Sequence, residues 1–225
     1  MGTYGSRPGL QRIQALLESM GNPHLKIPCV HIAGTNGKGS TSLLIAAILS
    51  CAGYRVGRFT SPHLHSYFER ITINGQEIPG SDFVDYLDII DNCVAHLTAR
   101  GVEHPTEFEV LTAAAYQYFA DQEVDIAVME TGLGGRFDST NVIVPLLSVI
   151  TSIDYDHTAI LGNTIEEIAY NKAGIIKRKV PVLVGQLPED ALRVVKDYAD
   201  DLQAPLYYSS LSQIIASDLQ TLTGQ

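Results

Sequence analysis

The chain has 225 residues, 45% of them hydrophobic, and a formal net charge of −10. That length and apolar content suffice for a full core in one large domain or two small ones, whereas the acidic balance without any Lys/Arg cluster excludes a nucleic-acid surface. No apolar run reaches membrane-spanning length, no basic-then-apolar leader pattern is present, and Cys29, Cys51 and Cys93 lack metal or CxxC spacing, so they read as reduced, buried thiols of a cytoplasmic protein.

Leu10, Ile13, Leu16 and Leu17 recur at helical spacing up to Gly21-Asn22-Pro23, which predicts an entry helix. Residues 30–33 form a short apolar strand that runs into a glycine loop, and an apolar helix starts near Thr41 and stops at Gly53. This helix is so apolar that it is expected to be covered on most sides. Residues 55–60 read as a strand that leaves as a loop, because Pro62 disfavours helix at Ser61. Residues 70–73 and 76–78 flank Asn74-Gly75, a two-residue hairpin signal. Helices follow over 82–99 and 107–120, the second opened by the capping-box pair Thr106 and Glu109. Strands are predicted over 125–130 and 147–153, then a helix from the capping box Thr164/Glu167 through Lys172. A strand over 179–185, a helix over 188–202 and a strand over 205–208 complete the pattern. Strands alternating with helices predict an α/β fold: three layers, with a mainly parallel sheet covered by helices on both faces.

Gly34-Thr35-Asn36-Gly37-Lys38-Gly39-Ser40 has the layout of a phosphate cradle: glycines admit a polyphosphate, helix-start N–H groups point at it, and Lys38 adds a mobile charge. The spacing departs from the strict P-loop, with two residues between Gly34 and Gly37 and with Gly39 after the lysine. Polar residues also gather at the ends of three other strands, at 61–65, 130–141 and 154–157, where parallel sheets bind ligands. Glu130 at the tip of a buried strand suits Mg²⁺, with a salt bridge to Arg136 as the bland alternative. Asp138 is divided evenly between capping a turn and chemistry. His157 at a strand end suits a metal or phosphate, while Asp154 and Asp156 read as turn residues. Lys172 by itself reads as a helix C-terminal cation. Glu109 is assigned to the cap, and His31, His63, His65 and His104 show no zinc spacing.

Taken together, Gly34 to Ser40, Thr60-Ser-Pro-His-Leu64, Phe108 to Ala115, Glu130-Thr-Gly-Leu-Gly-Gly-Arg-Phe-Asp138, Asp156-His157 with Leu161-Gly162, and Lys172 to Ile175 resemble the folylpolyglutamate synthase/dihydrofolate synthase family of the Mur ligase superfamily. Gly39 favours this folate branch over a peptidoglycan-type Mur ligase, where Thr or Ser more often follows the lysine. The resemblance implies a Mur ligase central domain with a P-loop-type nucleotide site. It also implies an ATP-dependent carboxylate–amine ligase that adds L-glutamate to dihydropteroate or folates through an acyl phosphate. Thr35 to Ser40 and Lys38 would hold the phosphates, Ser61 and Glu130 one Mg²⁺, and His157 with Glu130 a second. Lys172 would be carbamylated by CO₂, supplying an oxygen ligand near that second ion. The loop 60–67 would lie near the pterin, and Asp154 in the pterate pocket.

Family members are about twice this length and are expected to act as monomers. The chain stops at Gln225, so the expectation is an ATP-binding central domain over 1–225, incomplete at its C-terminal end, with the glutamate-ligase domain absent. A noncatalytic nucleotide-binding module is the alternative from another class.

Overall fold

The computed structural model describes residues 9–209. In chain order the elements are α1 (Gln11–Ser19), β1 (Cys29–Ala33), α2 (Lys38–Cys51), β2 (Val56–Phe59), β3 (Ile71–Ile73), β4 (Gln76–Glu77), α3 (Gly80–Ala99) and α4 (Glu107–Asp121). They continue as β5 (Ile126–Glu130), β6 (Leu147–Ile150), α5 (Thr158–Leu161), α6 (Ile165–Ala173), β7 (Val182–Val184), α7 (Glu189–Asp201) and β8 (Leu206–Tyr208). α5 is a single turn that apolar periodicity does not reveal. The expected capping boxes form at Thr106 with Glu109 and at Thr164 with Glu167.

One eight-stranded sheet runs β4-β3-β2-β5-β1-β6-β7-β8. β2, β5, β1, β6, β7 and β8 are mutually parallel, and the Asn74-Gly75 hairpin adds β3 and β4 antiparallel at one edge. Alternation along β1 sends Cys29, His31 and Ala33 to one face and Val30 and Ile32 to the other. On the first face, α1, α3 and α4 pack over Phe59, Ala127 and Met129, and α6 and α7 over Ala33, Ile150, Val182 and Val184. α2 supplies Ile45, Ala46 and Leu49 to the opposite face, against Val30, Ile32 and Val128. The three-layer, mainly parallel architecture is thus as the alternation predicts.

Two burial expectations fail. Of α2 only Ser42 is buried, and Leu43, Leu44 and Ile48 are 54%, 63% and 68% exposed. The helix packs against β1, β2 and β5, so one side of it is used and its outer side is not. Likewise Cys29 is buried, but Cys51, in the last turn of α2, is exposed and Cys93 is half-buried. Among the described residues no helix is long and apolar enough to cross a membrane.

Candidate active site

The glycine loop joins the end of β1 to α2 at the carboxyl edge of the sheet, where the parallel strands end together. α2 begins at Lys38 rather than near Thr41, because Gly37 adopts a left-handed φ of 81° and turns the chain into the helix at once. The loop is tied to the segment after β6. Thr35 N donates to Ser152 O at 2.8 Å, Asn36 N to Ser152 Oγ at 2.9 Å, and Thr151 Oγ1 to Asn36 O at 2.7 Å. No side chain caps α2, so the first-turn N–H groups of Lys38, Gly39 and Ser40 remain available to an anion. Lys38 Nζ curls over the loop, donating to Gly34 O at 2.9 Å and Thr35 O at 3.4 Å.

Glu130 ends β5 directly beside this turn, so that a Cβ on Gly39 would stand 3.7 Å from its Oε2. The side chain is buried, and Oε2 has no hydrogen-bond partner. Burial pushes its carboxyl up to about 7, against the opposing pull of Lys38, the Ser61 backbone N–H and Arg58. The alternative salt bridge to Arg136 does not form. That guanidinium instead stacks 3.9 Å from the Tyr170 ring centroid and 5.3 Å from that of Tyr198.

Asp138 resolves as the organiser of the loop that follows β5. Its buried carboxylate accepts from Gly132 N and Leu133 N, both at 2.8 Å, and from Thr140 N at 3.0 Å. Thr140 Oγ1 lies 2.8 Å from Nε2 of the buried His31. The loop is also seated on α6. Arg136 N donates to Asn171 O at 2.8 Å, and Asn141 Nδ2 reaches both Arg136 O and Gly174 O at 3.0 Å. Two glycines permit this approach: a Cβ at Gly135 would lie 2.8 Å from Lys172 O, and one at Gly174 2.5 Å from Arg136 Cα.

Lys172 lies in the last turn of α6, as the sequence suggests, but it is buried there, only 1% exposed. Burial first, and Lys38 second, lower its ammonium to about 8, while Asp156 and Asp138 act to raise it. Asp156, read from sequence as a turn residue, stands between two predicted site residues, with Oδ2 4.0 Å from Lys172 Nζ and Oδ1 3.4 Å from His157 Nε2. His157 is exposed, has a left-handed φ of 43°, and contacts Asp156 rather than Glu130. Asp154 is exposed, and its carbonyl accepts from Thr35 Oγ1 at 3.2 Å, placing it beside the glycine loop.

Among the described residues no three His, Cys, Asp or Glu side chains gather into a ready-made metal centre. Mg²⁺ keeps waters and phosphate oxygens and needs only one or two protein carboxylates. The orphaned Glu130 oxygen next to Ser61 is such a donor. Two cavities flank Ser61. One of about 320 Å³ is walled by Pro62, Phe108, Leu133 and Phe137, with Asp138 and Ser139 as polar groups. The other, of about 460 Å³, lies between the start of α2 and the β2–β3–β4 edge and includes Arg58, Thr72 and Glu130. Asp156 was legible only as a turn residue and Arg58 not at all; an arginine in an otherwise apolar strand is the signal that marks the latter.

The Mur ligase middle domain family matches residues 32–213. Dihydrofolate synthase/folylpolyglutamate synthase of Bacillus subtilis (strain 168) is 48% identical over 203 residues, 90% of this chain and 47% of that protein. A crystal structure of folylpolyglutamate synthase from Thermotoga maritima superposes with a TM-score of 0.85 at 44% identity, covering 90% of this chain and 47% of that one. An FPGS–AMPPCP–folate complex superposes with a TM-score of 0.86 at 40% identity, covering 91% and 51%. The chain spans about half the length of the curated relatives it matches. That family model covers most of the chain, and the fold superposes on solved structures at 40–44% identity, so the chain belongs to the Mur ligase middle-domain family.

Proposed function

We propose that the chain binds ATP–Mg²⁺ and serves an amide ligase that joins L-glutamate to dihydropteroate or to a folate. The observation that carries this reading is the uncapped start of α2 beside the unpartnered carboxylate oxygen of Glu130. The folylpolyglutamate and dihydrofolate synthase relatives, and the AMPPCP and folate in a superposed structure, support it.

In this reading the N–H groups of residues 38–40 and the Lys38 ammonium hold the phosphates, with Lys38 leaving the carbonyls of Gly34 and Thr35 to do so. Glu130 and Ser61 would hold Mg²⁺, which when bound would neutralise negative charge on the phosphates. The acceptor's ring system docks between Phe108, Leu133 and Phe137, which directs its carboxylate toward Ser61 and Glu130. That carboxylate oxygen attacks the γ-phosphorus and ADP leaves; the glutamate amine then attacks the acyl carbon and phosphate leaves. Asp138 keeps the wall of the cavity in place through its backbone bonds.

In the same reading His157 with Glu130 would hold a second ion, and Lys172, as its carbamate, would supply an oxygen ligand near it. A lysine lowered to about 8 by burial has a larger neutral fraction than an exposed one, and the neutral amine is the form that adds CO₂.

The test is Mg²⁺-dependent ATP binding, with glutamate-dependent phosphate release assayed on dihydropteroate and on tetrahydrofolate. ATP affinity that survives Lys38→Ala unchanged overturns the nucleotide site. Release on neither acceptor removes ligase activity from this chain.

A further inference from the structure

Arg58 is an arginine in the middle of a sheet. Its neighbours Val56 and Phe59 are buried core residues, while Arg58 itself is half-buried on the α2 face, at the wall of the 460 Å³ cavity. Among the described residues no hydrogen bond or ion pair fixes its guanidinium, and the nearby Glu130 carboxylate favours its charged form. Directly opposite on β3 stands Thr72, which is 3% exposed and whose hydroxyl is buried without a partner. Arg58 is half-buried and lines the cavity, where a ligand can reach its guanidinium, and opposite it Thr72 Oγ1 is a buried hydroxyl without a partner, a group that native structures rarely leave unmatched.

The acceptor that fits both is a carboxylate, with two oxygens for a guanidinium fork and a hydroxyl. The acidic residues of the cavity do not cancel this preference. Glu69 is spent on the backbone N–H groups of Leu64, His65 and Ser66 at 2.8, 2.7 and 2.7 Å, and Glu77 lies exposed at the rim. Glu130 is the metal-side carboxylate in the reading above.

We propose that Arg58 and Thr72 form a subsite for the α-carboxylate of a glutamyl group already carried by the acceptor, whose γ-carboxylate reacts beside Ser61 and Glu130. This rests on the ligase reading and sharpens it. The two carboxylates of one glutamyl group are separated by a short three-carbon stem, and a single cavity is lined by both pairs of residues. An acceptor such as pteroate, with one carboxylate, has nothing to offer the subsite. Arg58 therefore sets the preference between glutamylated and unglutamylated acceptors.

The experiment compares pteroylglutamate with pteroate, binding each to the full chain by titration calorimetry with Mg²⁺ and a non-hydrolysable ATP analogue. Arg58→Gln is expected to weaken pteroylglutamate about ten- to a hundredfold and to leave pteroate within about twofold. Thr72→Val is expected to give a smaller loss in the same sense, and it carries the test if Arg58→Gln fails to fold by thermal melting. Equal effects on both ligands, or no effect on either, overturn the subsite while leaving the ligase reading in place. An unsubstituted chain that binds neither ligand overturns both.

Discussion

The Lys172 ammonium stands 4.0 Å from an Asp156 carboxylate that also lies 3.4 Å from His157 Nε2. Asp156 thus favours the charged form of a lysine that burial pulls down to about 8. Asp156→Asn removes that support and also removes the negative charge that a carbamate would face. A stronger carbamate carbon signal from Lys172 is expected in this variant than in the parent after equilibration with ¹³C-bicarbonate near neutral pH. A signal that does not change, or falls, would take Asp156 out of this role.

The half-buried Lys38 makes two hydrogen bonds, both to carbonyls of its own loop, so its loss should disturb the fold little. Lys38→Ala is expected to weaken ATP about ten- to a hundredfold, as removal of a charge-assisted contact does, while stability changes by less than about 1 kcal/mol. Competition with a fluorescent ATP analogue, paired with urea unfolding, separates the two effects.

The three thiols differ in surroundings. Cys29 is 1% exposed, donates to Ile27 O at 3.2 Å, and is pushed up to about 12 by burial, whereas Cys51 is exposed. A thiol reagent such as DTNB should give a fast phase that Cys51→Ser abolishes, with Cys29 reacting only on unfolding. A fast phase that persists in Cys51→Ser contradicts this ordering.

His31 supplies a pH dependence of folding. Burial, with a smaller push from Lys177, lowers it to about 3, so the folded chain keeps it neutral while the unfolded chain protonates it near 6.5. Its contribution is therefore complete above about pH 6.5 and is lost as pH falls toward 3, at up to about 1.4 kcal/mol per pH unit. Glu130, raised to about 7, acts in the opposite sense between 4.5 and 7, so a comparison with a variant is needed. Between pH 7 and 5 the parent should lose about 2 kcal/mol more than His31→Gln in urea unfolding. Parallel pH profiles would mean that His31 titrates alike in the folded and the unfolded chain.

What could be read from the sequence were features set by neighbours in the chain: the Thr106 and Thr164 caps, the Asn74-Gly75 hairpin, the apolar strands and the glycine loop. These follow from short-range sterics and hydrogen bonding, which spacing records directly. The burial of Lys172, the Asp156 bridge and the pairing of Arg58 with Thr72 depend on which strands lie side by side, and spacing does not record that. The open side of α2 escaped for a related reason. An apolar helix declares that it wants cover, not which element provides it.

The seam at Gly135 and Gly174 has no slack, since even a methyl group at either position would press into backbone. The loop after Glu130 and the helix that carries Lys172 consequently behave as one casting, and a displacement of either is passed to the other. Residues without any reactive group thereby fix the spacing of those that have one, and the chemistry is most easily ruined where none takes place.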